Sequence, residues 1–245
     1  MKIRLSKIAV FLAALVPLGR LGWKALHNNL GANPIEFITH STGDWTLIFV
    51  LTTLSITPLR RLTRQYWLIG LRRMIGLFAF FYGTLHFLTY IWLDKFFDVH
   101  DMVKDIAKRP FITIGFSAFV LMIPLAATST EWSIRRLGGK NWQRLHRLIY
   151  LTGILGVVHY IWLVKADKHK PFEYGIVLLI LLGYRVAVWA SEKRRQPGIP
   201  VQSDRVATGL RPATTRADVT KPEIGLPKSF RPQNFFAATI VYDPG

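Results

Sequence analysis

No cysteine occurs in the 245 residues, and acidic side chains are scarce, with 14 Asp and Glu against 32 Lys and Arg. Without cysteine, disulfides, iron–sulfur clusters, thiolate-ligated haem and the C-x-x-C-H haem attachment are all excluded. A metal in this chain has to be held by histidine, methionine, oxygen or a porphyrin. A glycine-rich phosphate loop opening a helix is missing as well, and Gly138-Gly139 reads as a turn between two apolar segments.

What the chain has is apolar length. Hydrophobic residues make up 51% and aromatics 13%, yet the formal net charge is +18. Runs near the ~20 residues needed to cross ~30 Å of hydrocarbon recur, with Arg and Lys gathered between them. A basic excess can signal nucleic acid. Here the arginines lie in short loops beside apolar spans, where they orient the chain and meet anionic membrane lipid, so no nucleic acid partner is expected. The expected fold is an all-α membrane protein, a six-helix transmembrane bundle, with spans near 8–26, 44–59, 74–93, 111–128, 147–164 and 173–190. The second span is expected to stop at Thr57-Pro58, where proline discourages further helix.

Loop charge sets the orientation. One loop carries Arg60, Arg61, Arg64, Arg72 and Arg73, and another Arg135, Arg136, Lys140, Arg144 and Arg147; both are expected to be cytoplasmic. The loop His27 to Gly43 has no Lys or Arg, and the loop around Asp94 to Arg109 balances its charges, which fits the outer side. Both termini are then cytoplasmic. Lys2, Arg4 and Lys7 ahead of Ile8 to Leu18 also resemble the start of a secretory signal peptide, but no convincing small-x-small cleavage site follows, so an uncleaved anchor is expected.

Three histidines, His86, His146 and His159, sit inside or at the rim of apolar segments. Ionisable residues at membrane depth are functional-site candidates. His86 lies thirteen residues beyond Arg73 and His159 twelve beyond Arg147, each about 20 Å outward along its helix, so the two can face each other at one level. Two imidazoles from neighbouring helices are a natural axial pair for a b-type haem, and the alternative is that each histidine is bonded to another helix. His146 stands about 20 Å away at the cytoplasmic rim and some 140° around an ideal helix from His159. It reads equally as a ligand of a second haem or as an interfacial residue. His27, His40, His100 and His169 fall in outer loops, and His40 alone among them suggests a site near the outer face.

Longer runs carry a resemblance. Ser55-Ile56-Thr57-Pro58-Leu59-Arg60, Arg72-Arg73-Met74-Ile75-Gly76-Leu77, Thr84 to Tyr90, Lys108 to Gly115, Trp142 to Leu151 and His159 to Lys165 closely resemble, in collinear order, the MsrQ (YedZ) family. The resemblance implies the haem-binding membrane subunit of a bacterial methionine sulfoxide reductase system, within the ferric-reductase-like transmembrane superfamily. It further implies a cytochrome b of the inner membrane that takes electrons from the quinone pool and passes them to MsrP, a periplasmic molybdopterin enzyme that repairs oxidised proteins. The chain is then an electron-transfer subunit with no catalytic residues of its own. Flavin mononucleotide, FMN, is associated with the family, although no residues here look like a flavin site. Arg72 and Arg73 are candidates for haem propionates or a quinone headgroup, a role that competes with orienting the chain.

Two other functions fit the composition: a ferric-chelate reductase, and a haem-free membrane scaffold or small transporter. Beyond the haem-binding transmembrane domain, 1–195, residues 196–245 read as a disordered cytoplasmic tail with an atypical strand-like end at Phe235 to Gly245, a departure from the family pattern.

Overall fold

The computed structural model describes residues 2–164 and 168–195, and the described elements are all helical. In order they are α1 (Lys2–Leu26), α2 (Pro34–Thr63), a 3-10 turn (Tyr66–Leu68), α3 (Ile69–Leu88), a π-helical stretch (Thr89–Asp94), α4 (Val99–Lys108), α5 (Pro110–Ala127), α6 (Glu131–Leu137), α7 (Gly139–His146), α8 (Leu148–Leu163) and α9 (His169–Arg195). Contacts divide the chain into Met1–Tyr184, which holds the core and the cavity, and Arg185–Gly245. The tail expected at 196–245 lies outside the described residues.

Four helical segments are long and apolar enough to cross a bilayer: Leu5–Leu26, Tyr66–Asp94, Pro110–Ala127 and His169–Arg194. The apolar periodicity therefore yields a multi-pass membrane protein. The other two expected spans coincide with α2 and α8. Helix α8 has only 16 residues, and α2 carries Glu36, Asp44 and a series of threonines. Those hydroxyls do not disturb the bundle, because Thr46, Thr52 and Thr53 each donate to the carbonyl four residues earlier in α2. Polarity that would be costly in lipid is thus hidden inside the most interior helix.

Two expectations about α2 need correcting. It runs five residues past Pro58, because a proline buried among neighbouring helices is tolerated where the bundle supplies the missing backbone partner. It also begins earlier than expected. Asn33 caps it, its side chain accepting from the Glu36 N–H at 3.3 Å, and Pro34 takes the first helical position. Thr39 to Thr42 are therefore helical, and His40 belongs to a helix rather than a loop.

Helix α2 pairs closely with α3, and α5 with α8; α3 also meets α5, and α2 meets α8. These four helices surround the core, in which Val50, Leu54, Ala79 and Tyr82 are buried. Helix α1 lies against α2 and α3 and is fastened by one side chain. The Tyr82 hydroxyl donates to the Ala14 carbonyl at 2.8 Å and accepts from the Leu18 N–H at 3.2 Å. It enters the α1 ladder beside Pro17, where an insertion of this kind is expected to bend a helix. Outward-facing residues such as Leu12, Leu179 and Ile180 are exposed, as surfaces in contact with acyl chains must be.

Candidate functional site

Between the two helix pairs lies a cavity of about 510 Å³ with His86, His159, Gly43, Gly115, Tyr90 and Arg109 in its wall. The rings of His86 and His159 face each other across it, their centres 6.3 Å apart and their planes inclined by 73°. His86 comes from α3 and His159 from α8, so each helix pair supplies one ring.

The two rings are held in the same way. His86 Nδ1 lies 2.9 Å from the Thr39 carbonyl of α2, and His159 Nδ1 lies 2.7 Å from the Phe111 carbonyl of α5. A carbonyl accepts only, so each Nδ1 carries the proton and donates, leaving Nε2 with a free lone pair. A glycine sits four residues beyond each carbonyl. A Cβ on Gly43 would stand 3.1 Å from His86 Cε1, and one on Gly115 only 2.7 Å from His159 Nδ1. The rings therefore lie close against bare backbone, and each glycine leaves the room its histidine occupies.

This arrangement suits a metal bound in a macrocycle. Two metal–nitrogen bonds of about 2 Å plus the ring radii span about 6 Å, close to the separation of the two rings. Donation from the second ring nitrogen to a carbonyl is the usual support of a metal-bound histidine, fixing tautomer and orientation. Among the described residues no group of three or more His, Cys, Asp or Glu could hold a bare ion. A two-histidine site fits iron that brings four nitrogen donors of its own, and the cavity lies within the roughly 300–1,000 Å³ range of cofactor sites. Its walls are largely apolar, with Leu47, Val50, Phe87, Phe116 and Phe119 among the lining residues.

Comparison with known proteins points the same way. The family described as ferric reductase like transmembrane component matches residues 40–157, a stretch that carries His86 and ends two residues before His159. The protein-methionine-sulfoxide reductase heme-binding subunit MsrQ of Herminiimonas arsenicoxydans is 59% identical over 196 residues, covering 79% of this chain and 89% of that protein. The subunit of the same name from Ralstonia nicotianae is 57% identical over 200 residues, 80% of this chain and 91% of its own length. This chain belongs to the MsrQ family. A more distant MsrQ, from Rhodospirillum rubrum, still shares 49% identity over 197 residues. No solved structure matches.

Within this family member the other expected residues separate from the cavity. His146 ends α7, and its Nε2 lies 3.1 Å from Thr128 Oγ1, while the Trp142 ring stacks on it with centres 3.9 Å apart. Trp142 Nε1 also donates to the Thr128 carbonyl at 2.8 Å, so the group ties α7 to the end of α5. Arg72, near the start of α3, lies within electrostatic reach of His146. Neither Arg72 nor Arg73 is among the residues lining the cavity. His40 is, one turn from Glu36, with its Nε2 3.9 Å from a Glu36 carboxylate oxygen.

The sequence reading missed the carbonyls of Thr39 and Phe111 and the glycines beside the rings. A repeated spacing was available, because in both α2 and α5 the carbonyl precedes its glycine by four residues, one helical turn. Only the facing helix shows what that gap is for.

Proposed function

We propose that this chain is a membrane cytochrome b in which His86 and His159 are the axial ligands of one haem b. The observation that carries the reading is the pair of rings 6.3 Å apart, each with Nδ1 fixed by a carbonyl and Nε2 open to the cavity. The names of its relatives, heme-binding subunits of protein-methionine-sulfoxide reductase, support the choice of cofactor. Bound there, haem b supplies a one-electron carrier with no open coordination position for substrate. The protein's part is to keep both imidazoles neutral and oriented, to exclude water with the phenylalanine-rich wall, and to place the site toward the outer leaflet.

In this reading six helices, α1, α2, α3, α5, α8 and α9, cross the bacterial inner membrane, with both termini cytoplasmic. Electrons enter from quinol on the inner side and leave to an MsrP-like periplasmic reductase. Loop charge supports the orientation, with Arg60, Arg61, Arg135 and Arg136 on one side of the bundle and the charge-balanced stretch around α4 on the other. His146, with Thr128 and Trp142 against it, is read as a structural post, which gives one haem per chain.

The test is a reduced-minus-oxidised spectrum with iron quantified per chain. One iron per chain is expected, with a low-spin ferric paramagnetic signal of the strongly anisotropic type that steeply inclined imidazole planes produce. His86→Ala and His159→Ala should each abolish the spectrum, and His146→Ala should leave the iron count unchanged. Full iron content in both His86→Ala and His159→Ala would refute the assignment. Reoxidation of the quinol-reduced protein by its periplasmic partner, and not by ferric chelates alone, tests the direction of electron flow.

A further inference from the structure

The outer end of the cavity holds a polar group that its surroundings leave unused. The Tyr90 hydroxyl is buried with no hydrogen-bond partner among the described residues, and Tyr90 lines the cavity. A buried hydroxyl without a partner has given up its bond to water for nothing, so its retention calls for a reason. Its position comes from the π-helical stretch Thr89–Asp94, where the Lys95 N–H reaches the Tyr90 carbonyl five residues back. The wider turn re-aims the residues that follow His86.

The same end of the cavity contains Arg109, the only Lys or Arg among its described lining residues. Arg109 precedes Pro110 and is held extended, at φ −115° and ψ 94°, in the break between α4 and α5. Its Nε lies 3.4 Å from Asp105 Oδ1, which leaves the two terminal nitrogens of the guanidinium fork for another acceptor. Tyr90 lies within electrostatic reach of Arg109 and Lys95, and also of Asp94 and Asp105.

We propose that Tyr90 and Arg109 form a carboxylate-binding site at the outer end of the cavity, which takes a propionate arm of the porphyrin. This rests on the haem reading above and adds the side on which the porphyrin's acidic edge lies: outward, away from Arg72 and Arg73. A hydroxyl donor and a guanidinium together are a standard charge-assisted carboxylate grip. The acidic residues nearby are in part held by other groups. Glu36 accepts from Asn33 Nδ2 at 3.0 Å, Asp44 lies 3.6 Å from Lys170 Nζ, and Asp105 is shared between Lys95 and Arg109. Asp94 faces the same volume and opposes an anion, which makes the Arg109 charge the deciding one.

The experiment loads the full chain with either native haem or haem dimethyl ester, in which both propionates are capped, and follows transfer to excess apomyoglobin. With native haem, Tyr90→Phe and Arg109→Gln are each expected to lose pigment about tenfold faster than the unaltered chain, and Arg109→Lys less. With the ester, the unaltered chain should lose pigment as fast as the variants, and the substitutions should add nothing, as a thermodynamic cycle requires of a direct contact. The haem-free Tyr90→Phe chain should melt no lower than the unaltered one, since its hydroxyl has no partner to lose among the described residues. Equal acceleration with both pigments, no acceleration with native haem, or a lowered melting temperature of haem-free Tyr90→Phe would each overturn the proposal. Failure of the axial assignment is read on different variants, His86→Ala and His159→Ala, so the two cannot be confused.

Discussion

A single hydrogen on Cα separates Gly115 from an alanine that the site has no room for. The methyl group would stand 2.7 Å from His159 Nδ1 and 2.8 Å from Cε1, so the ring has to swing and its hydrogen bond to Phe111 has to break. Gly115→Ala is expected to lower the iron content severalfold and alter the low-spin paramagnetic signal while the chain still inserts. Gly43→Ala, at 3.1 Å from His86 Cε1, should do the same more mildly. Spectra and iron content of the two variants check the order, and a reversed order would mean that the surrounding helices yield more easily near α5 than the geometry says. The histidines themselves were legible in the sequence, because imidazole in an apolar run is conspicuous and equal distances from the basic loops imply equal depth. The glycines and the Thr39 and Phe111 carbonyls were not, since their value depends on what a different helix puts against them. Tyr90 was hidden for a related reason: a tyrosine near a membrane interface has an ordinary explanation.

Among the elements, the loop helix α4 is the one whose placement rests most on charge. Lys95, only 11% exposed at its side chain, donates to Asp101 at 3.0 Å and pairs with Asp105. The Asp105 and Asp101 carboxylates raise the Lys95 ammonium above its usual range, and Lys95 in turn holds the Asp101 carboxyl below the usual carboxylate range. A depressed carboxyl contributes stability that is present above its unfolded value of about 4 and is lost as pH falls through the lower folded value. A raised ammonium contributes stability that is complete below about 10.4 and is lost as pH climbs beyond that. Proteolytic protection of α4 is therefore expected to be flat from about pH 5 to 9 and to fail only at the extremes, whereas Lys95→Met should expose α4 to protease at pH 7. A protection profile that steps near neutrality would contradict this anchor. The long apolar helices could be read from composition because lipid imposes their length. Short helices such as α4, α6 and α7 escaped notice because loop segments of 7 to 10 residues carry no such requirement. Pro58 misled for the opposite reason: a local rule about helix ends was overridden by burial.

For the whole molecule, orientation is open to a clean measurement because the chain has no native cysteine. Lys104→Cys on α4 and Lys140→Cys on α7 both occupy exposed positions. An impermeant thiol reagent added to intact cells with a permeable outer membrane should label the first and spare the second, and opening the cells should admit it to both. Labelling of the second in intact cells would invert the assigned topology. The bundle also places one of the two facing imidazoles on a helix packed against α2 and the other on a helix packed against α5. A group gripped by both joins the two halves from within, much as a rivet joins plates that touch along only part of their edges. With haem b as that group, as proposed above, the loaded chain is expected to resist protease longer than the haem-free one, and equal resistance of the two would count against the joint.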